Sequence, residues 1–506
     1  MNRVISFVFV FVIAAALSVE AWRRIPFRGD VLFPESGGTA PAFLASRGEP
    51  LYQDIDHGSF IILCHSPLFY WLTSRIARVM RLDMDGTASV GRSLAFMFTI
   101  LSAFIAVFLR RMELENNSIR FNSLFAFGLA LSNPLFMRWG LMVRPDTAAM
   151  FFSFLGAWLC LLSLEQKAHQ FIFIVFGLFC FGLALGCKQT AFSASLAFLT
   201  LCVYRRHFRL ATAFFGAFVI MILCGLFFVH FAFGPYALRN ILATASAPIA
   251  LDNILRPLKF TLRDTFPMLL ILVGWVIYQR KHFSTYHITF TSIYFMISFL
   301  MALVASIKAG SSTNYFIECI MLAGILSERL ISRLWTYKSL LPRIAALMLL
   351  LFIAGNVWAR PFVWRIYRDE FKHSRSAVEL IDYLNDRYKN GLVISSDAYV
   401  SMTAGKRPLL VDSFIFSAMR QTGHWDPSSL HEMIREKRIA AFIFDFMPGK
   451  ETGMIAQHVR MWPEDTIQII LSNYELIETY NSQWRIYQPK AASSSPIPTG
   501  SSSSTF

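Results

Sequence analysis

Arg144-Pro145-Asp146 sets a cation and a carboxylate two residues apart at the edge of an apolar segment. The loop from Asp30 to Glu35 places two further carboxylates beside another. A charged Asp or Arg at the centre of a membrane helix costs about 2.5–3.5 kcal/mol on insertion scales. Charge kept beside such helices therefore marks a place where it is used. Carboxylates suit a general base that deprotonates a hydroxyl or amine. Cations at a bilayer surface suit an anionic headgroup such as a lipid phosphate. These residue types imply chemistry on a membrane-borne substrate.

More such groups lie in the segments that should share this side. The first loop reads FRGDVLFPESGGTAPAFLASRGEPLYQDIDHGSFIILCHSPLFYW and carries Asp30, Glu35, Glu49, Asp54, Asp56, His57 and His65. The turn GCKQT carries Lys188, and KAGSSTNYFIE carries Lys308, Asn314, Tyr315 and Glu318. Each has a plainer explanation. Pro is favoured in a first helical turn, and an acidic residue there complements the helix dipole, which would account for Pro145 and Asp146. Lys188 can snorkel at a helix end. Asp54 and Asp56 read as solvated loop charges, and Asn314 and Tyr315 as a helix start at the interface.

The elements that position these groups follow from composition. The chain has 506 residues, is 55% hydrophobic and 16% charged, and includes 50 Phe. With a mean hydropathy of +0.49, this is the profile of an integral membrane protein. The net charge of +15 would suggest nucleic acid in a soluble protein. Here it belongs to loops facing the cytoplasm, and no nucleic-acid partner is expected. Apolar runs occur near 4–19, 91–109, 121–141, 147–164, 171–187, 190–204, 210–233, 267–278, 286–306, 315–328 and 342–358. That makes about eleven spans, judged against the ~20 residues each needs. With a cytoplasmic N-terminus, the inner loops carry Arg110, Arg111 and Arg120, then Lys167, then Arg205, Arg206 and Arg209, then Arg280 and Lys281, then Arg329, Arg333, Lys338 and Arg343. Every inner loop is basic, as the positive-inside rule requires. Residues 67–80 would invert this order if they spanned, so they are expected to lie as an amphipathic helix at the outer interface.

Three regions result. Residues 1–360 form a transmembrane unit whose first external loop is 20–90. Residues 361–490 change character: helical SAVELIDYLNDRY and SSLHEMIREKR alternate with strand-like GLVISSD and AAFIFDF, and a further helix is expected near 450–460. This is the pattern of a small α/β domain, placed outside by an odd number of spans. Residues 491–506 are Ser-rich and expected to be disordered. The seven scattered cysteines contain no CxxC and suggest neither a disulfide framework nor a zinc site.

The order of the loop segments resembles the GT-C superfamily of glycosyltransferases, including the protein mannosyltransferases and the aminoarabinose transferase of lipid A. The carrying motifs are Pro34-Glu35-Ser36, ASRGEPLYQD at 45–54, HSPLFYW at 65–71, Arg144-Pro145-Asp146, CKQ at 187–189 and NYFIE at 314–318. The resemblance implies a polytopic α-helical membrane protein with a small external α/β C-terminal domain. It also implies a hexosyl- or pentosyltransferase that inverts a sugar taken from a polyprenyl-phosphate donor on the extracytoplasmic face. Glu35 matches the catalytic carboxylate of the first loop, and Asp146 a second acidic position. Lys188 matches a phosphate-binding lysine, and His65 falls near a basic or metal-linked position. The Asp-Glu pair usual in relatives is absent here, which leaves Asp30 as an alternative base.

The expected site thus has Glu35, Asp146 and Asp30 as catalytic candidates and Lys188, Arg144, His65, Asn314 and Tyr315 as substrate-binding candidates. Arg144 would join Lys188 in stabilising the departing lipid phosphate. An oxygen-rich site of this kind would prefer Mg²⁺ or Mn²⁺ if it held a divalent cation, but no ligand cluster is compelling and no metal residue is assigned. Expected partners are the lipid-linked donor, a glycan, lipid or protein acceptor, and membrane lipid. The family resemblance places the chain in a bacterial inner or plasma membrane. The rival reading is a transporter or flippase of a lipid-linked glycan, whose ionisable groups would line a path at mid-membrane depth.

Overall fold

The computed structural model describes residues 3–31, 35–112, 122–243, 247–249, 251, 253–255, 257–263, 289–336, 338–363, 365–448, 454–456, 459–460 and 462–491. Six helices among these are long and apolar enough to cross a membrane: Val4–Arg24, Met84–Met112, Asp146–Glu165, Lys167–Cys187, Phe208–Phe233 and Leu340–Trp358. Such helices satisfy all their backbone hydrogen bonds internally, which is the condition for lying in lipid, and they make this an integral membrane protein. We label the helices of this part α1 (Arg3–Arg24), α2 (Ser36–Ser46), α3 (Leu68–Val79), α4 (Met84–Met112), α5 (Ser123–Leu131), α6 (Pro134–Trp139) and α7 (Asp146–Glu165). They continue as α8 (Gln170–Cys187), α9 (Ser193–Tyr204), α10 (Phe208–Phe233), α11 (Tyr236–Ala243), α12 (Phe290–Ala305), α13 (Ile317–Thr336) and α14 (Leu340–Val363).

Several expected spans take another form. The run at 121–141 breaks at Ser132-Asn133-Pro134 into α5 and α6. Pro134 has no N–H to give to the preceding turn, and Asn133 turns extended so that its Oδ1 caps Leu135 N at 2.9 Å. The run at 190–204 makes a helix of 12 residues and the described part of 286–306 one of 16, against the ~20 residues a full span needs. The run at 267–278, the basic pair Arg280-Lys281, Arg120 and residues 492–506 lie outside the described residues. Residues 67–80 form α3, 12 residues long, which buries Phe69, Tyr70, Thr73, Ser74 and Ala77 on one face.

Small residues let the helices approach closely, the packing mode that lipid favours. A carbon added at Gly156 of α7 would meet the Phe181 ring of α8 at 2.7 Å, and one added at Gly324 of α13 would meet the Leu129 carbonyl oxygen of α5 at 2.4 Å. The latter contact is with backbone and cannot yield by a rotamer change. Gly324→Ala is therefore expected to destabilise the bundle by about 1–3 kcal/mol, read as a lower thermal transition in detergent. An unshifted transition would show that α5 and α13 separate freely.

Beyond α14, helix α15 (Arg365–Tyr388) leads into an α/β unit. Its elements are β1 (Val393–Ser395), α16 (Ala398–Thr403), α17 (Ser413–Gln421), α18 (Ser428–Arg435), β2 (Ala441–Phe444), β3 (Met454–Ala456), β4 (Val459–Arg460), α19 (Glu464–Asn473), β5 (Tyr474–Tyr480) and β6 (Trp484–Pro489). The main sheet has the order β1-β2-β6-β5, parallel between β1 and β2 and antiparallel elsewhere. The helix expected near 450–460 is instead, in its described residues, the antiparallel pair β3 and β4. The core of this unit is not built from its own residues alone. Ile55, Phe60, Ile62 and Cys64 of the first loop lie in one buried cluster with Leu409, Leu410, Phe416 and Trp425. The seam is also hydrogen-bonded: Leu410 N donates to Ser59 O (2.9 Å), Trp425 Nε1 to Ile55 O (2.9 Å) and Ser374 Oγ to Asp30 O (2.6 Å).

Candidate active site

One end of the bundle gathers the start of α7, the end of α8 and the 3-10 turn Thr313–Phe316 before α13. Pro145 ends the preceding loop, and Asp146 opens α7 as its first-turn acid, the position an N-terminal dipole favours. Asp146 is only 4% exposed. Its Oδ1 accepts from Lys188 Nζ at 2.5 Å and from Asn314 Nδ2 at 2.8 Å. Its Oδ2 is buried with no hydrogen-bond partner. Buried polar atoms are almost always paired, so this oxygen is an acceptor waiting for a donor. Lys188 also sits over the Tyr315 ring, 4.3 Å from its centre. Residues 146, 188, 314 and 315, three separate segments in the chain, thus form one contact group.

Cations surround it. Arg144 packs its guanidinium against Trp139, 5.9 Å from the ring centre, and makes no ion pair among the described residues. Trp139 is fixed in turn by donating Nε1–H to Thr313 Oγ1 at 2.8 Å. His65 stacks on Tyr70 with ring centres 6.0 Å apart. Loss of hydration pushes the His65 imidazole down to about 3, and the charges of Arg144, Lys188 and Lys308 push the same way against Asp146. His65 is therefore a neutral ring in a positive field. Lys308 belongs to this field although its turn had been read mainly for Asn314 and Tyr315.

Glu35 is placed otherwise than the sequence led us to expect. It is 1% exposed, and the fully buried Arg92 of α4 grips it in a two-point pair: Nε to Oε1 at 2.8 Å and Nη2 to Oε2 at 2.7 Å. Val143 N donates to Oε1 at 2.8 Å and Val31 N to Oε2 at 3.0 Å. Four donors occupy the two oxygens, leaving none open to a nucleophile. Arg92 reaches further, donating to the carbonyls of Phe27 (2.6 Å), Gly29 (2.7 Å) and Arg24 (3.1 Å). The pair ties the first loop, α4 and the 141–145 turn together. The sequence reading missed Arg92, whose one signal was an arginine inside an apolar helix.

Asp30 bonds elsewhere in the first loop. Its oxygens accept from Ser36 Oγ at 2.6 Å and Ser36 N at 3.1 Å. Burial, then the negative charges of Glu35 and Asp397, hold its carboxyl well above the usual range. Asp54 and Asp56 pair with His57 and Arg239 at the partly exposed rim of the loop. Glu318 takes hydroxyl bonds from Tyr294 and Ser193. Among the described residues, no three His, Cys, Asp or Glu side chains group as metal ligands. The structure therefore brings Asp146, Lys188, Asn314 and Tyr315 into contact, with Arg144 and His65 in the same electrostatic field, while Glu35 and Asp30 bond to Arg92, Val31, Val143 and Ser36 instead.

No family model and no curated protein matches the sequence. Solved structures do. ArnT from Cupriavidus metallidurans in the apo state aligns with a TM-score of 0.61 at 12% identity, over 96% of this chain and 98% of that one. The same protein bound to undecaprenyl phosphate aligns at 0.60, with the same identity and coverage. The oligosaccharyltransferase AglB from Archaeoglobus fulgidus, in complex with an inhibitory peptide and a dolichol-phosphate, aligns at 0.53 with 12% identity, over 88% of this chain and 70% of that one. At such identity the likeness is one of fold. The chain shares the fold of these solved structures, in keeping with the resemblance that the order of its loop motifs gave.

Proposed function

We propose that this protein is an integral-membrane glycosyltransferase that moves a sugar from a polyprenyl-phosphate carrier to an acceptor on the extracytoplasmic face. The observation that carries the reading is the meeting of Asp146, with its unpaired buried oxygen, and the cations Lys188, Arg144 and Lys308 at one end of the bundle. The fold supports it, since ArnT has been seen with undecaprenyl phosphate in the same architecture. In this reading the N-terminus is cytoplasmic, and the α/β unit, about residues 361–490, is extracytoplasmic.

The acceptor hydroxyl gives its proton to Asp146 Oδ2, and its oxygen bonds to the anomeric carbon. The bond from that carbon to the carrier phosphate breaks, and its electron pair stays on the phosphate oxygen. The leaving group is already anionic, so it needs positive charge rather than a proton. Arg144, Lys188 and Lys308 supply that charge. Asn314 and Tyr315 hold Asp146 and Lys188 in place. We assign Glu35 to positioning through Arg92, because four donors take its two oxygens, and Asp30 to the loop that carries it, because its carboxyl holds Ser36 at the start of α2.

Arg144→Ala and Lys308→Ala are each expected to weaken binding of undecaprenyl phosphate about tenfold to a hundredfold, the worth of one charge-assisted hydrogen bond. The loss should shrink as salt is raised. Unchanged binding in both variants would remove the phosphate from this site. The wider test is transfer by the purified protein from radiolabelled undecaprenyl-phosphate sugars to membrane acceptors. No transfer with any donor, together with donor movement across vesicles, would establish the transporter instead.

A further inference from the structure

Helix α1 ends at a marked boundary. Among its exposed side chains, Val4, Phe7, Val8, Phe11, Val19 and Trp22 recur at helical spacing and form one apolar stripe. From Val4 to Trp22 the stripe runs about 27 Å at 1.5 Å per residue, close to the ~30 Å of a bilayer's hydrocarbon core. Trp22 is 83% exposed, and Trp favours the level of the headgroups. Arg23, the next residue, therefore stands among them.

At that level a groove of about 430 Å³ opens between the end of α1 and α15. Arg23, Arg28 and Arg375 line it with a single carboxylate, Glu379, and Phe27 and Val378 contribute apolar wall. Arg375, Val378 and Glu379 lie three and four residues apart, hence on one face of α15. The two walls are fixed to each other. The carbonyls of Phe27 and Gly29 accept from Arg92 at 2.6 and 2.7 Å, and Ser374 Oγ donates to Asp30 O at 2.6 Å. A carbon added at Gly29 would touch Phe27, Val378 and Ser374 at 3.4, 3.5 and 3.6 Å, so loop and helix pack together there.

Positive charge dominates the groove. Arg28 is matched by Asp85 at 3.2 Å. Glu20 serves two guanidiniums, Arg23 at 3.2 Å and Arg24 at 2.8 Å. Arg375 is exposed and makes no ion pair among the described residues. A guanidinium offers a fork of donors that fits phosphate oxygens. A zwitterionic headgroup would bring its own ammonium among these arginines, whereas an anionic one brings only the charge they attract.

We propose that this groove binds an anionic phospholipid, its phosphate held between Arg23 and Arg375 and one acyl chain lying along the exposed stripe of α1. The lipid belongs to the leaflet at the C-terminal end of α1, the outer one in the orientation proposed above. Its phosphate bridges a membrane-spanning helix to the helix that leads into the α/β unit, so binding ties the two together. The site requires that α1 spans the membrane and is independent of the sugar chemistry.

Thermal transitions of the full-length protein in detergent test this, with added phosphatidylglycerol, phosphatidylcholine of the same chains, or inorganic phosphate. Phosphatidylglycerol is expected to raise the wild-type transition by about 2–4 °C at saturation, and the other two to leave it in place. Arg375→Gln should raise the phosphatidylglycerol concentration needed about fivefold, the worth of one arginine at a charged surface. Arg375→Lys, which keeps the charge, should regain most of that. Arg23→Gln, on the opposite wall, should weaken binding to a similar degree and gives a second reading. The shift should survive Arg144→Ala. An equal shift with phosphatidylcholine would reduce the site to chain contact, and an equal shift with inorganic phosphate would make it a site for a free anion; either overturns the proposal. So would a midpoint unchanged in both Arg375→Gln and Arg23→Gln, or a shift lost in Arg144→Ala, which would put the phospholipid in the candidate active site. Each of these leaves the glycosyltransferase reading to its own transfer assay.

Discussion

Asp146→Asn is expected to lower sugar transfer about 10²- to 10⁴-fold at saturating donor, the range seen when a proton acceptor is removed. The argument is one of single atoms. Asp146 Oδ1 is held by Lys188 at 2.5 Å and Asn314 at 2.8 Å, while Oδ2 is buried and unpaired. An asparagine can keep its carbonyl oxygen toward Lys188 and Asn314. It then sets an NH₂ where Oδ2 stood, and that group accepts no proton. Donor binding should fall much less than turnover, because the phosphate is held by cations that remain. Transfer rate and undecaprenyl-phosphate affinity measured on the same preparation separate the two. Transfer at the wild-type rate would reduce Asp146 to a helix-start charge that neutralises Lys188.

The second large effect is on folding. Arg92 is fully buried, and its guanidinium binds both oxygens of Glu35 and four backbone carbonyls. Arg92→Met strands a buried carboxylate, a change that costs about 3–5 kcal/mol. Total stabilities are about 5–15 kcal/mol, so little folded protein should survive. Glu35→Gln removes the charge from the other partner and should lower the thermal transition as well. The neutral pair Arg92→Met with Glu35→Leu should recover part of the loss, since apolar replacements of a buried pair are often tolerated. Thermal transitions and monodisperse yield in detergent read all three. If Glu35→Gln kept the wild-type transition yet lost transfer, Glu35 would return as the base and Asp146 would cede that role.

Each cluster member was visible in the sequence as a short polar motif beside an apolar run: Arg144-Pro145-Asp146, Lys188, and Asn314-Tyr315. Their meeting was not, because Lys188 and Asn314 reach Asp146 across 42 and 168 residues of chain. Glu35 was legible as an unusual carboxylate, but its partner lies 57 residues on in an apolar helix. A motif shows that a carboxylate is present. It cannot show how many N–H groups already point at it.

The sequence by itself determined the medium and the general plan. Hydropathy and basic loops require apolar helices in a membrane, because transfer free energy sums over residues and needs no knowledge of contacts. The strand-like segments GLVISSD and AAFIFDF became β1 and β2 on the same local grounds. The tertiary structure decided what depends on distance. It split residues 121–141 at Pro134, built one core from residues 55–64 and the C-terminal unit, and chose which carboxylate is gripped and which has an open oxygen. Those outcomes turn on which donors come within about 3 Å of an oxygen, and only the packed chain fixes that distance.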